Sequence, residues 1–273
     1  MNGSCLAVTQ QSYVFDNSWQ QGRARLDAIE AFLDPGTIRA LDGLGVAAGW
    51  RCLELGAGGG SIAAWLARRV GETGSVVATD LDTSHLLKLD AAPNLEIRRH
   101  DIVKDPLEER EFDLIHVRLV LQHIPERDRV LVKLVAALRP GGWLLLEEVD
   151  NVSSLPISEL GGQEHARTQA IRFRQFEAAG LPLDYGRHLP ALLRRAGLTE
   201  IGNEGRAFVT EGGSPGARWL QLSLTQLRPR LTGPDKLTDA ELDRMLELCA
   251  DPEWAALSPI IFACWGRAAA KAA

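Results

Sequence analysis

Residues 52–61, CLELGAGGGS, put four glycines into five positions directly after a run of strand-forming residues. Glycine is costly to order, so such a cluster marks a backbone under a special demand. The demand is either a tight turn or a ligand that lies against the main chain. A turn needs one or two glycines, fewer than Gly56, Gly58, Gly59 and Gly60 provide. Acids recur around them: Glu54 precedes the glycines, and Asp80, Asp101, Glu148 and Asp150 close later apolar runs. A carboxylate inside a run such as LEL needs a partner if it is buried, and a cationic ligand supplies one. His123, in LVLQHIPE, brings an unperturbed pKa that suits proton transfer at neutral pH. The chemistry implied is a ligand held on bare backbone by acids, with a candidate base nearby.

These residues need elements to hold them. Arg51–Leu55 reads as a strand, and SIAAWLARRVG as a helix stopping at Gly71. SVVATD (75–80), NLEIRRHD (94–101), FDLIHVR (112–118) and WLLLEEV (143–149) read as four more strands. Ser84–Leu89 fits a short helix, and residues 125–142 a helix closed by a Pro-Gly-Gly turn. Strand–helix alternation with short links predicts a parallel sheet with helices on both faces. Ligands on such sheets bind at the carboxyl ends of the strands, where this chain places its polar residues. Further on, 158–179 and 188–198 read as helices, 199–211 as a strand and 216–250 as two helices split by LTGPDKLTD. A strand over 258–268 would pair with 199–211 and extend the sheet, and residues 18–45 supply helices upstream of the first strand.

The glycines fit known ligand loops unequally. A dinucleotide fingerprint wants G-x-G-x-x-G, but its third glycine is here Ser61, and no Gly-Lys-Ser/Thr follows for a phosphate loop. The pattern Glu54-x-Gly56-x-Gly58-x-Gly60 resembles the cofactor motif of class I S-adenosylmethionine-dependent methyltransferases. Asp80, Asp101-Ile102, FDLIHVR and LRPGGWLLLEE follow in that family's order over about 100 residues, 50–150. YVFDNSWQQGRARL and GRHLPALLRRAGL resemble, less specifically, its ubiquinone/menaquinone-type small-molecule branch. The resemblance implies an α/β fold: a Rossmann-like, mostly parallel sheet of about seven strands with helices on both faces and a helical cap. It implies S-adenosyl-L-methionine as cofactor, with S-adenosyl-L-homocysteine as product. Glu54 would face the ammonium, and Gly56, Ala57, Gly58 and Gly60 would lie against the methionyl and ribose parts. Asp80 would take both ribose hydroxyls, Leu81 and Ile102 would meet adenine, and Asp101 its amino group. Arg118 or Arg25 would pair with the methionyl carboxylate, and Tyr13 would close over the site. His123 and Glu148 are the catalytic candidates; a structural histidine and a solvated glutamate are the alternatives.

The implied division is an N-terminal helical segment (1–49), a cofactor core (50–150), a lid (151–198) and a C-terminal strand pair (199–273) with a helical insertion near 212–257. All four would form one catalytic domain. The expected reaction is methyl transfer by in-line displacement to a small organic acceptor, a natural-product intermediate by the apolar and aromatic character of the cap. A non-methyl-transfer enzyme of the same fold, such as a cyclase, and a non-catalytic binder of the cofactor stay open, with a nicotinamide oxidoreductase last. The formal charge of −6, without a basic block, argues against nucleic acid as a partner. No apolar run reaches the ~20 residues of a membrane span, and the N-terminus lacks the marks of a signal peptide. We expect no membrane partner and a cytoplasmic location, and leave a homo-oligomer open. The four scattered cysteines predict free thiols, and the isolated Asp and His residues predict no metal site.

Overall fold

The runs rich in Leu, Ile and Val form the sheet that the alternation predicts. The computed structural model describes Phe15 and residues 19–89 and 92–270. Its strands are β1 (Arg51–Leu55), β2 (Ser75–Asp80), β3 (Leu95–Arg99), β4 (Phe112–Arg118), β5 (Leu138–Asp150), β6 (Leu155–Pro156), β7 (Thr199–Arg206), β8 (Val209–Glu211), β9 (Ala255–Leu257) and β10 (Ile260–Arg267). The main sheet has seven strands in the order β3-β2-β1-β4-β5-β10-β7. β1 to β5 pair in parallel, whereas β10 runs antiparallel to both β5 and β7. The order reverses between β1 and β4, so the crevice outside their carboxyl ends is where such sheets take ligands.

Helices α1 (Gly22–Gly43), α2 (Ser61–Val70), α3 (Arg127–Ala137), α4 (Gly162–Ala178), α5 (Tyr185–Arg195), α6 (Pro215–Leu231) and α7 (Asp239–Leu248) complete the molecule. Alternate strand residues face opposite layers. Leu53, Ile115, Val117 and Leu144 pack with Leu134 of α3 and Leu189 and Leu193 of α5. Cys52, Leu114 and Leu145 pack on the other face with Leu41 of α1 and Ile62 and Leu66 of α2. A separate apolar cluster joins α4, α6 and α7 through Ile171, Phe176, Leu224, Leu227, Leu242, Met245 and Trp254. These helices form the cap, and the small antiparallel sheet β6-β9-β8 is built from the segments that flank them.

Several boundaries differ from the sequence expectations for local reasons. Of the span 18–45, the described residues 19–45 hold one helix rather than several, because α1 runs on through Pro35. The span 84–89 keeps only a 3-10 turn at Leu86–Lys88. α3 ends at Ala137, and Arg139–Gly142 belongs to β5, entering the sheet through an irregular register opposite Phe112 and Leu114. Residues 199–211 divide past the glycines: β7 stays in the main sheet, and β8 crosses to the cap sheet. The strand over 258–268 begins only after Pro259, with β9 before it paired to β6 and β8.

Candidate functional site

A cavity of about 1110 Å³ opens at the carboxyl ends of β1, β2 and β4 and runs beneath the cap. The glycine loop forms its floor. Gly56 and Ala57 donate their N–H groups to the Thr79 carbonyl of β2, at 2.8 and 2.9 Å. Gly58 donates to Asp80 Oδ2 at 2.9 Å, and Asp82 donates to Asp80 Oδ1 at 3.1 Å. Burial raises the pKa of Asp80 against those N–H groups, so its carboxylate is poised to gain further donors. Gly60 adopts φ +89° as the residue that turns the chain into α2. A Cβ there would lie 2.3 Å from Leu89 Cδ1, so only glycine fits.

Of the residues predicted to hold the cofactor, Gly56, Ala57, Gly58, Asp80, Leu81, Asp101, Ile102, Arg118 and Arg25 line this cavity, as does His123. Leu81 is 55% exposed, an apolar surface beside Asp80. Asp101 accepts from the Val103 N–H at 3.0 Å and pairs with Lys104 at 2.8 Å, which outweighs its burial and lowers its pKa. Arg118 already bonds Asp34 and Thr37, both at 2.9 Å. Arg25 donates to Ser223 Oγ at 3.2 Å and lies 4.0 Å above the Phe15 ring. Tyr13 lies outside the described residues.

Three expected residues sit elsewhere. Gly60 shapes the turn and does not border the cavity. Glu54 is on the opposite wall of its strand, buried under α1, with Oε2 2.7 Å from His116 Nδ1. His116 Nε2 in turn meets Glu147 Oε2 at 3.1 Å, and Arg206 and Thr37 also bond Glu147. Burial alone would depress His116, but Glu54 and Glu147 raise its pKa to about 9, so it is an imidazolium between two carboxylates. The cation that Glu54 needs is thus a histidine of the neighbouring strand. Glu148 is also buried away from the cavity: its Oε1 gathers the N–H groups of Val120, Leu121 and Gln122 at 2.7–3.4 Å. It fixes the turn that carries His123, and burial pushes its pKa up to about 8 in spite of those donors.

His123 does reach the cavity, packed edge-on to Phe15 with ring centroids 6.1 Å apart. Burial, aided by Arg25 and Arg127, lowers its pKa to about 3. The unperturbed value behind its assignment as a base does not apply, because this imidazole is neutral and weakly basic at pH 7.

Two groups of lining residues escaped the sequence reading. Glu30 of α1 lies over the loop: Arg23 donates both to the Gly59 carbonyl (3.1 Å) and to Glu30 Oε2 (3.0 Å). Glu30 Oε1 is buried with no hydrogen bond, and burial raises the carboxyl's pKa. The second group is a stripe on α4, made of His165, Gln169, Arg172 and Phe176. Its spacing of four, three and four residues is that of one helix face. Among the described residues no cluster of His, Cys, Asp and Glu is arranged to hold a metal, and no helix is long and apolar enough to cross a membrane. Cys52, Cys249 and Cys264 are free and buried.

Residues 53–146 match the family model described as a methyltransferase domain. That match is a likeness between the core and this family. It covers the whole loop from β1 to the body of β5, which agrees with the class I resemblance drawn from the glycines. Methyltransferase str2 of Strobilurus tenacellus is 32% identical over 154 residues, 55% of this chain and 54% of that protein. The ubiquinone/menaquinone biosynthesis C-methyltransferase UbiE of Pseudomonas putida is 34% identical over 111 residues, 38% of this chain and 43% of that protein. The chain thus spans about half the length of the curated relatives it matches. Among solved structures, phosphoethanolamine N-methyltransferase 2 of Haemonchus contortus, bound to phosphomonomethylethanolamine and S-adenosylhomocysteine, superposes with a TM-score of 0.58 at 17% identity. That match takes in 97% of this chain and 61% of that one. A SAM-dependent methyltransferase from Aquifex aeolicus gives a TM-score of 0.50 at 16% identity, over 90% of this chain and 98% of that one. At such identities these likenesses speak for the fold alone: a mostly parallel seven-stranded sheet flanked by helices.

Proposed function

We propose that the protein binds S-adenosyl-L-methionine on the glycine loop and transfers its methyl group to a small organic acceptor held under the cap. The observation that carries this reading is Asp80, clasped by the Gly58 N–H at the end of β2 and facing the cavity beside that loop. The residues present suit the cofactor. Asp80 supplies a carboxylate for the ribose hydroxyls, and the bare backbone of Gly56–Gly58 leaves room for the methionyl part. Leu81 and Ile102 offer apolar surface for adenine, with Asp101 beside them. Glu30, whose Oε1 lacks a hydrogen bond, takes the role expected of Glu54: a carboxylate for the ammonium and the positive sulfur.

The bound cofactor supplies an electrophilic methyl on a cationic sulfur. The chain's part is to hold the acceptor in line with that methyl and to shut out water, and well-oriented reactants reach effective molarities of ~10⁵–10⁸ M. α4, α6 and the β9–β10 link, within the segments 151–198 and 212–259, form the acceptor side. Their aromatic and apolar lining, with Phe176, Leu181, Trp219 and Trp254, favours a partly hydrophobic molecule. His123 serves there as a neutral hydrogen-bonding and packing group rather than as a base.

Calorimetric titration with S-adenosylmethionine and S-adenosylhomocysteine, with NAD as control, tests the reading. We expect micromolar binding of the first two and none of NAD. Asp80→Ala should weaken binding by about 10–100-fold, the worth of a charge-assisted hydrogen bond or two. Undiminished binding in that variant would remove Asp80 from the site.

A further inference from the structure

Arg172 occupies an unusual position for a cation. It is 7% exposed, lines the cap side of the cavity, and has aromatic neighbours in Phe173 and Phe176, each 5.6 Å from its guanidinium carbon. Among the described residues no carboxylate pairs with it. The acidic partner near α4, Glu241, goes to Arg167 instead. Two of its nitrogens, Nε and Nη2, are buried without a hydrogen-bond acceptor. Those two atoms form the side-on edge of the guanidinium, whose parallel N–H groups match the two oxygens of one carboxylate.

A buried charge left uncompensated costs stability, so its retention calls for a partner that arrives later. The neighbours on the same stripe are polar but neutral. Burial and the adjacent Arg172 lower His165 to a pKa of about 4, and Gln169 donates to Ser154 Oγ at 3.0 Å. Gln169 Oε1 also lacks a donor. Acids that line the cavity belong to other elements: Glu30 to α1, Asp80 to the end of β2 and Asp101 to the turn after β3. Burial lowers Arg172 itself only to about 10, so the side chain stays cationic at neutral pH.

We propose that the acceptor is a small organic acid whose carboxylate docks on the Nε–Nη2 edge of Arg172, with the Gln169 carboxamide beside it. This assignment rests on the methyl-transfer reading for the acceptor's role, while the anion site itself stands on Arg172 alone. Docking the carboxylate at the cap end directs the remainder of the molecule, over Phe176 and Leu181, toward the glycine loop where the methyl would be presented.

The experiment uses the full chain saturated with S-adenosylhomocysteine and three acid–amide pairs as probes: 4-hydroxybenzoate, indole-3-acetate and hexanoate, each against its carboxamide. For at least one pair the acid should bind about 10–100-fold more tightly than the amide, the range for a hydrogen-bonded buried charge. Arg172→Met should erase that preference while S-adenosylhomocysteine binds as before, and Arg172→Lys should retain part of it. Arg172→Met should also melt at a higher temperature than the native chain in the absence of probes, which a merely structural arginine would not do. Equal affinity within all three pairs, or no binding by any acid, overturns the proposal. So does an acid preference that survives in Arg172→Met. Tighter binding of phenyl phosphate than of every acid overturns the carboxylate assignment in favour of a phosphate. Failure of S-adenosylhomocysteine to bind while the acid preference persists would strike the cofactor reading and leave the anion site standing.

Discussion

Arg206 and Arg172 are almost equally withdrawn from water, at 9% and 7% exposure, yet their surroundings are opposite. Arg206 ends a chain of alternating charges: it bonds Glu147, which bonds His116, which bonds Glu54. Thr37 of α1 completes the set, so the network ties α1 to β1, β4, β5 and β7. Arg172 has aromatic rings beside it and, among the described residues, no counter-charge. The difference teaches what each buried charge is for. A charge that meets counter-charges within the fold holds elements in place, and one that does not is held ready for something outside the chain.

The sharpest way to break the comparison is to remove a counter-charge from the satisfied set. Glu147→Ala takes from His116 its second carboxylate, leaving Glu54, and from Arg206 its buried partner, leaving the half-exposed Glu204 at 3.3 Å, and should cost about 3 kcal/mol in denaturant unfolding. A loss below about 1 kcal/mol would mean the network is relaxed by water and not structural. Arg172→Met should move stability the other way, as described above.

Next in size is the dependence of stability on pH. Glu148 has a folded pKa raised by burial to about 8 from an ordinary 4.5, and His116 one raised by Glu54 and Glu147 to about 9 from 6.5. For the histidine, the stabilisation is complete below about 6.5 and is lost as the pH climbs toward 9. For the raised carboxyl, the folded state holds a proton that the unfolded chain releases, so stability falls between about 4.5 and 8. Both slopes point down above neutrality. Glu147, whose low pKa of about 2 arises because His116 and Arg206 outweigh its burial, acts in the other direction and is lost only in acid below about 4.5. Unfolding free energy should therefore decline between pH 6.5 and 8, by up to roughly 1.4 kcal/mol per unit for each proton. Glu148→Gln keeps an acceptor for the turn and should flatten part of that decline. An unchanged slope would show that Glu148 is ionised throughout.

The smallest effect concerns His123. Because it is neutral above about pH 3, His123→Gln should leave the pH profile of turnover without a shifted limb between pH 5 and 8, and change the rate by less than about tenfold. Loss of an inflection near pH 6–7 in that variant would restore the base.

How much of this was legible in the sequence follows from the range of each interaction. The order of β1 to β5 and the ligand loop were readable because apolar period and glycine spacing are local signals. The place of Asp80 at the cavity was legible because it directly ends an apolar run. Glu54 and Glu148 were misread for one shared reason: each finds its partner on another strand or turn, His116 sixty-two residues on and the Val120–Gln122 amides twenty-eight to twenty-six residues back. His123 kept its place but not its chemistry, since burial is a property of the packed whole. Arg172 gave no local sign beyond its helical phase with His165, Gln169 and Phe176. The split of 199–211 into two strands was hidden because β8 changes sheets after only two intervening residues.

The small sheet β6-β9-β8 carries a consequence for anyone who wishes to re-engineer the protein. The chain leaves the core twice, once after β5 and once after β7, and the two excursions lie far apart in sequence. β6 comes from the first and β8 and β9 from the second, with Leu155 paired to Leu257 and Ser154 Oγ donating to the Leu257 carbonyl at 3.0 Å. The excursions are thus sewn into one plate. A chimaera that swapped only the first would leave β9 with an unpaired edge and a torn seam, so a graft must carry both segments together. Transplanted as a pair onto another core of the same strand order, they would travel as a single cartridge.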